Sequence, residues 1–227
     1  MSVPRLLERH VALPVAESGT VNGDLGVPAG AVGLVVFAHG SGSSRLSGRN
    51  RHVAATLQER GLATLLFDLL TSGEERRDEV TSELRFDIPF LAARLGQVIR
   101  WARAHPELGR LPLGLFGAST GAAAALVAAA AGSNVTAVVS RGGRPDLAAG
   151  SLPRVAAPTL LIVGGLDTAV IALNGTALDR LGSRDKELVI VPGASHLFEE
   201  PGKLDDVARL AADWFERWLA PGSEPGP

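Results

Sequence analysis

Six short apolar runs alternate along the chain with segments in which apolar and polar residues are mixed. The runs lie at residues 31–40, 61–70, 111–119, 134–143, 157–165 and 186–194. Each run is almost continuously apolar, which is typical of strands that are covered on both faces, as in a parallel sheet. Between several runs, apolar residues recur at helical spacing, most clearly over 88–102 and 204–218. This alternation predicts repeated βα units joined by crossover helices.

Two further segments, 9–16 and 19–28, come before the first run and have the pattern of an antiparallel hairpin. The predicted fold class is therefore α/β, a doubly wound and mostly parallel sheet with an N-terminal antiparallel hairpin. No internal repeat or linker divides the chain, so we predict a single domain over residues 1–219. The turn-forming composition of residues 220–227 predicts a disordered tail.

Composition narrows the range of functions. The chain has 227 residues and a net charge of -2, which gives no electrostatic case for nucleic acid or a membrane surface. It has no cysteine, so disulfides and thiol catalysis are excluded. The first residues lack the apolar core of a signal peptide, and we expect a cytoplasmic protein. No metal-binding or nucleotide-binding motif is present, so we expect neither a metal nor a cofactor.

The end of the third run carries the first candidate for chemistry. In a doubly wound sheet, ligands bind beyond the carboxyl ends of the parallel strands. Ser119 lies at such an end, in the sequence Gly117-Ala118-Ser119-Thr120-Gly121, which fits the G-x-S-x-G pattern of a nucleophile on a sharp strand-to-helix turn. The alternative is a small serine that only fills a tight turn.

Two more strand ends supply the partners that a nucleophilic serine needs. Asp167 follows the fifth run and His196 follows the sixth. Separately, Asp167 could cap a helix and His196 could be a polar loop residue. Together with Ser119 they have the Ser…Asp…His chain order of a hydrolase triad, in which the histidine takes the serine proton and the aspartate orients the imidazole. We therefore predict all three as catalytic.

A glycine-rich loop after the first parallel strand is the candidate for the oxyanion hole. We predict the backbone N–H groups of Thr120 and Ser41 as the donors, with Gly40 or Gly42 as alternatives to Ser41. Gly40 is also a candidate for substrate contact. His39 is expected to shape this loop and not to transfer protons.

Arg141 and Arg144 follow the fourth run, at a strand end that should face the cleft. Arginines there could hold a carboxylate or phosphate of the substrate. They could instead form structural ion pairs with Asp146, Glu199 or Glu200, which is the commoner use of such arginines. The sequence does not decide between substrate binding and structural ion pairing for these two arginines.

The segments around these residues resemble the dienelactone hydrolase-like group of α/β-hydrolases over nearly the whole length. Those segments are FAHGSGSS, GLFGASTGAAAAL, SRGGRPDL, LLIVGGLD and GASHLFEEPG. The resemblance implies the α/β-hydrolase fold and the triad. Enzymes of this group that hydrolyse dienelactone use a cysteine nucleophile, which this chain lacks, so their substrate is not implied. Some relatives are joined to a phosphoribosyltransferase-like domain, which nothing in this chain resembles.

Only residues 142–157 separate the fourth and fifth runs, which is too short for a helical cap domain. We therefore expect an open site without a cap, and a charged surface loop or helix over 71–83. The predicted function is hydrolysis of a small-molecule ester or thioester through an acyl-enzyme. The alternatives are a perhydrolase and a binding or regulatory protein that keeps the fold without turnover. An uncapped site could be completed by a second copy, so a homo-oligomer stays open.

Overall fold

An eight-stranded sheet forms the centre of the protein. The structure is a computed structural model, and it describes residues 6–15, 19–132 and 134–220. The strands are β1 (Leu6–Val15), β2 (Gly19–Pro28), β3 (Gly33–Ala38), β4 (Leu62–Phe67), β5 (Leu113–Ala118), β6 (Val135–Arg141), β7 (Thr159–Gly164) and β8 (Lys186–Val191). They include all six strands and the hairpin that the apolar pattern predicts.

The strand order is β1-β2-β4-β3-β5-β6-β7-β8. β1 pairs antiparallel with β2, and β2 pairs antiparallel with β4, whereas all pairings from β4 to β8 are parallel. The chain leaves β3 toward β4 on one side and returns to β5 on the other. The loops after β3 and β5 therefore diverge, and such a divergence opens a crevice at the carboxyl ends of the strands.

The described residues form six helices, and five of them cover the two faces of the sheet. The six helices are α1 (Gly48–Glu59), α2 (Ser72–Thr81), α3 (Ile88–Ala104), α4 (Thr120–Ala130), α5 (Thr168–Arg180) and α6 (Lys203–Leu219). α1 and α6 pack together over one apolar core, while α3, α4 and α5 cover the core on the other face. Side chains of the central strands β3, β5 and β7 are buried throughout, which explains why their sequences read as continuous apolar runs.

The connection between β6 and β7 contains only two short 3₁₀ turns, Pro145–Ala148 and Leu152–Arg154. No cap domain is inserted there, as its length predicts. The charged segment after β4 forms the exposed helix α2, as the sequence allows. The predicted tail falls outside the described residues except for Ala220, which ends α6. None of the described helices is long and apolar enough to cross a membrane.

Candidate active site

Ser119 occupies a sharp turn between β5 and α4. Its backbone has φ 50° and ψ -119°, a conformation that is costly for a residue with a side chain. It lies at the N-terminus of α4, where the N–H groups of the first helical turn have no acceptor inside the helix. The strained turn predicted from G-x-S-x-G is therefore present in the structure.

The two glycines of this motif are required by close packing. A Cβ atom on Gly117 would lie against the backbone of Ala122, and one on Gly121 would lie against the carbonyl oxygens of Ala38 and His39. The alanine-rich start of α4 is fully buried against the sheet. Close contact between the helix and the strands thus holds the turn in its strained shape.

Asp167 and His196 are joined by a short hydrogen bond. The imidazole Nδ1 of His196 donates to Oδ2 of Asp167 over 2.6 Å. Asp167 is the residue before α5, but its side chain makes no capping hydrogen bond with that helix. The capping role that the sequence left open is therefore absent. A proton fixed on Nδ1 leaves the lone pair of Nε2 free to accept another proton.

The loop that carries His196 is held by contacts that the sequence did not point to. A carboxylate oxygen of Glu200 accepts the Ser195 N–H over 3.0 Å, and the side chain of Phe198 is buried although its backbone φ is 56°. A Cβ on Gly164 would touch the carbonyl oxygens of Ala194 and Ser195. The sequence suggested Glu200 as a partner for an arginine, whereas in the structure it holds the backbone of the loop. The only sequence signal for this role was the position of Glu200 in the loop that carries His196.

The segment after β6 contacts both the serine turn and the histidine. The Ser119 N–H donates to the Arg141 carbonyl over 3.1 Å, and the Arg144 N–H donates to the Ser119 carbonyl over 3.1 Å. A Cβ on Gly142 would lie 3.4 Å from Cε1 and 3.5 Å from Nδ1 of His196. One short segment therefore borders both Ser119 and the Asp167–His196 pair, at the carboxyl ends of the parallel strands.

The glycine-rich loop after β3 passes beside the serine. A Cβ on Gly40 would lie 3.1 Å from the Cβ of Ser119. The next amide, that of Ser41, donates to the Thr120 side-chain oxygen Oγ1 over 2.9 Å. This differs from the expectation that the Ser41 N–H points into the site, because its hydrogen bond is already made.

His39 fixes the shape of this loop. Its Nδ1 lies 2.9 Å from the Gly40 carbonyl oxygen, and its Nε2 accepts the Leu69 N–H over 3.0 Å. Because Nε2 accepts, Nδ1 is the nitrogen that carries the proton and donates. Burial lowers the pKa of His39 below its ordinary value. The imidazole of His39 is neutral and makes two hydrogen bonds, which connect the end of β3 to the end of β4. This is the role expected for a residue that shapes the loop.

Arg141 is buried without a carboxylate partner. Its Nη2 donates to Asn50 Oδ1 over 3.3 Å, while Nε and Nη1 have no partner among the described residues. Burial and the nearby guanidinium of Arg49 lower the pKa of Arg141 to about 10. Arg49 takes Glu199 as its own partner. The ion pairs suggested for Arg141 are therefore absent, and its donors are covered by protein.

Arg144 has the structural partner that the sequence offered as an alternative. Its Nε and Nη2 donate to the two carboxylate oxygens of Asp146 over 2.9 and 2.8 Å. The hydrogen bonds from Arg144 lower the pKa of Asp146, and those to Asp146 raise the pKa of Arg144. The two residues are close along the chain, which brings the guanidinium and the carboxylate together.

A cleft of about 310 Å³ extends from Thr120 and the loop at 40–44 to helix α2. Its apolar part is formed by Leu69, Leu70 and Leu91. Helix α2 contributes Glu75 and Glu79 to its lining, and these make no ion pair within the part of the chain that the structure describes. The cleft is therefore partly apolar, with acidic side chains in the part that helix α2 lines.

Buried ion pairs hold helix α2 in place. Glu74 closes a capping box with Thr71 and accepts two hydrogen bonds from Arg94, whose side chain is 3% exposed. Burial opposes ionisation of Glu74, but hydrogen bonds from Arg94 and Thr71 outweigh it and lower its pKa. Asp78 is held in the same way by Arg85 and also has a lowered pKa.

Comparison with known proteins identifies relatives over most of the chain. The sequence model described as "Dienelactone hydrolase family" matches residues 22–220. A crystal structure of a dienelactone hydrolase from Anabaena variabilis is 57% identical and has a TM-score of 0.92. That similarity covers 96% of this chain and 100% of the cyanobacterial chain.

Two other similarities add different information. A Mycobacterium tuberculosis protein named putative phosphoribosyl transferase is 56% identical over 213 residues, which are 93% of this chain. The match takes in 47% of that relative, so the chain spans about half the length of the curated proteins it matches. The esterase Est1E from Butyrivibrio proteoclasticus is 15% identical with a TM-score of 0.75, covering 91% of this chain and 97% of its own. It shares the fold.

Proposed function

Since the chain belongs to the dienelactone hydrolase family, and hence to a family of hydrolases, we propose that it cleaves carboxylic esters or thioesters with Ser119 as the nucleophile. The observation that carries this proposal is the 2.6 Å bond between Asp167 and His196 at the sheet edge where the strained serine turn lies. Asp167 fixes the imidazole tautomer and stabilises the imidazolium that forms.

The proposed reaction has two halves. In the first, the Ser119 oxygen attacks the carbonyl carbon while His196 Nε2 takes the hydroxyl proton, and the alcohol or thiol leaves with that proton. In the second, His196 takes a proton from the water that attacks the acyl-enzyme, and it returns that proton to the Ser119 oxygen as the acid is released. The Thr120 N–H, in the first turn of α4, is the backbone donor that we assign to the oxyanion.

The cleft supports a substrate class. Leu69, Leu70 and Leu91 can cover a short apolar group, while Glu75 and Glu79 disfavour a negative charge on the part of the substrate near α2. Arg85 also lines the cleft, but Asp78 neutralises it. We therefore assign neutral or cationic esters as the preferred substrates. Arg141 and Arg144 do not support an anionic substrate, because the first is covered and the second is paired.

Phosphoribosyl transfer, which is the activity in the name of the M. tuberculosis relatives, is not proposed for this chain. The chain spans 47% of those proteins, and the family that matches it is the dienelactone hydrolase family.

The test is hydrolysis of p-nitrophenyl acetate, butyrate and octanoate by the wild type and by Ser119→Ala. We expect turnover that favours the short chains and that falls in the variant by about 10⁴-fold or more, since removing the nucleophile removes the covalent route. Ser151→Ala removes a serine hydroxyl that lies outside the cleft and should keep the wild-type rate. A folded wild type without turnover, or an active Ser119→Ala, would contradict the proposal. The first result would favour a binding protein.

A further inference from the structure

The side chain of Thr120 has a feature that the proposed reaction does not yet use. It is 4% exposed, lines the cleft and follows the nucleophile directly. Its oxygen Oγ1 accepts the Ser41 N–H over 2.9 Å. A hydroxyl that accepts one hydrogen bond still has its own proton to donate. No acceptor for that proton is found among the described residues.

The position of this hydroxyl is set from two sides. On one side, Thr120 begins α4 and is fixed by the close packing of Gly121 on the ends of β3. On the other, the Gly40–Ser41 backbone passes beside the Ser119 side chain, because a Cβ on Gly40 would lie 3.1 Å from the Ser119 Cβ. The hydroxyl therefore lies between the serine turn and the loop that hydrolases of this fold use for oxyanion binding.

We propose that Thr120 donates two hydrogen bonds to the oxyanion, one from its backbone N–H and one from its Oγ1 hydroxyl. Ser41 is then a positioning residue, since its N–H holds the hydroxyl and does not touch the substrate. A donor that is already oriented costs no reorganisation when charge develops. The bond from Ser41 also polarises the hydroxyl and strengthens its donation. This inference rests on the proposed serine hydrolase function.

A competing arrangement makes the opposite prediction. If Thr120 Oγ1 only occupied the Ser41 N–H until substrate displaced it, the hydroxyl would compete with the oxyanion for that donor. Removing the hydroxyl would then free the Ser41 N–H and raise the rate. Removal of the Thr120 hydroxyl therefore lowers the rate in the proposed arrangement and raises it in the competing one.

The experiment compares kcat and KM for p-nitrophenyl acetate in the wild type, Thr120→Val and Thr120→Ser. Valine keeps the branched shape without the hydroxyl, and we expect kcat to fall about 100-fold with little change in KM, as for loss of one oxyanion donor. Thr120→Ser keeps a hydroxyl and should recover most of that loss. Thr176→Val removes a hydroxyl that bonds the Ala172 carbonyl on the exposed side of α5, and is the matched control.

A second measurement does not depend on turnover. Phenylboronic acid forms a tetrahedral, negatively charged adduct on a nucleophilic serine, and its affinity should weaken in Thr120→Val by a factor similar to the fall in kcat. Thermal unfolding of each variant shows whether it is folded. Wild-type kcat or boronate affinity in Thr120→Val, or a gain in either, would overturn the inference. Failure of the proposed function is distinguishable, because the wild type would then show no turnover or Ser119→Ala would keep the wild-type activity.

Discussion

The β5–α4 turn and helix α2 border the same cleft, but different forces hold them in place. At the turn, Gly117 and Gly121 bring backbone atoms of the helix and the strands into contact, and a strained Ser119 results. Helix α2 instead has almost no apolar face and is held by the buried pairs Arg94–Glu74 and Arg85–Asp78.

The difference indicates which part of the cleft can change. A turn fixed by backbone contact tolerates no added atom, so the position of the nucleophile is determined by the fold itself. A helix held by two ion pairs presents exposed residues to the cleft that take no part in those pairs. Substrate preference can therefore change on α2 without disturbing Ser119.

The largest effect is expected from breaking the turn. In Gly121→Ala, the added Cβ meets the carbonyl oxygens of Ala38 and His39, which are backbone atoms and cannot swing away. We expect a loss of about 1–3 kcal/mol in the free energy of unfolding from overpacking. A displaced turn should also lower kcat/KM by about 100-fold or more. Denaturant unfolding and ester hydrolysis measure the two effects.

Gly175→Ala in α5 is the matched control, because nothing lies within 4 Å of the added Cβ. It should stabilise the protein by about 0.5–1 kcal/mol, since alanine favours the helix, and leave activity unchanged. Similar changes in the free energy of unfolding and in kcat/KM for Gly121→Ala and Gly175→Ala would contradict the account of the turn.

A smaller effect is expected from reversing the charge of the α2 wall. The double substitution Glu75→Lys and Glu79→Lys should raise the ratio of kcat/KM for an anionic ester to that for a neutral ester of the same size. We expect this ratio to rise about tenfold, because exposed charges near the substrate interact with it only modestly. Added salt should reduce the change because it screens these charges. Glu59→Lys with Glu187→Lys makes the same change in net charge away from the cleft. A shift of similar size in that control would show that net charge alone is responsible.

The smallest effect concerns the pH dependence of stability. Burial holds the pKa of His39 below 6.5, so the unfolded chain takes up a proton as the pH falls through about 6.5, whereas the folded chain takes it up only at a lower pH. The free energy of unfolding should therefore decrease below that pH, by at most about 1.4 kcal/mol per pH unit. His39→Gln should show a shallower slope between pH 7 and 5. Parallel curves for the two proteins would contradict the assignment. Glu74 and Asp78, whose pKa values are lowered, lose their contribution only in more acidic solution.

The sequence predicted the parts of the fold that depend on regular patterns. Continuous apolar runs located the strands from β3 to β7, because strands covered on both faces leave few polar positions. β8 was also found from its apolar run, although it lies at the edge of the sheet and is only partly buried. The positions of Ser119, Asp167 and His196 followed from the same reasoning, since each comes directly after a strand. Chain order then indicated that they belong together.

Other features depend on contacts that no local pattern contains. The Ser41 N–H meets Thr120 Oγ1 because two loops 79 residues apart converge. Arg141 is buried against Asn50 on α1, a contact across 91 residues. For Arg144, the sequence offered Asp146 as one of several alternative partners and did not decide between them. Distance along the chain, more than residue type, limited what could be predicted.

The most direct test of the central claim is labelling of the protein with a fluorophosphonate, which reacts with activated serine nucleophiles. We expect a mass increase on the peptide that carries Ser119, no labelling of Ser119→Ala, and labelling slowed by about 10²-fold or more in His196→Ala, which lacks the base. Labelling of a different residue, or an unchanged rate in His196→Ala, would contradict the assignment of Ser119 as a nucleophile activated by the Asp167–His196 pair.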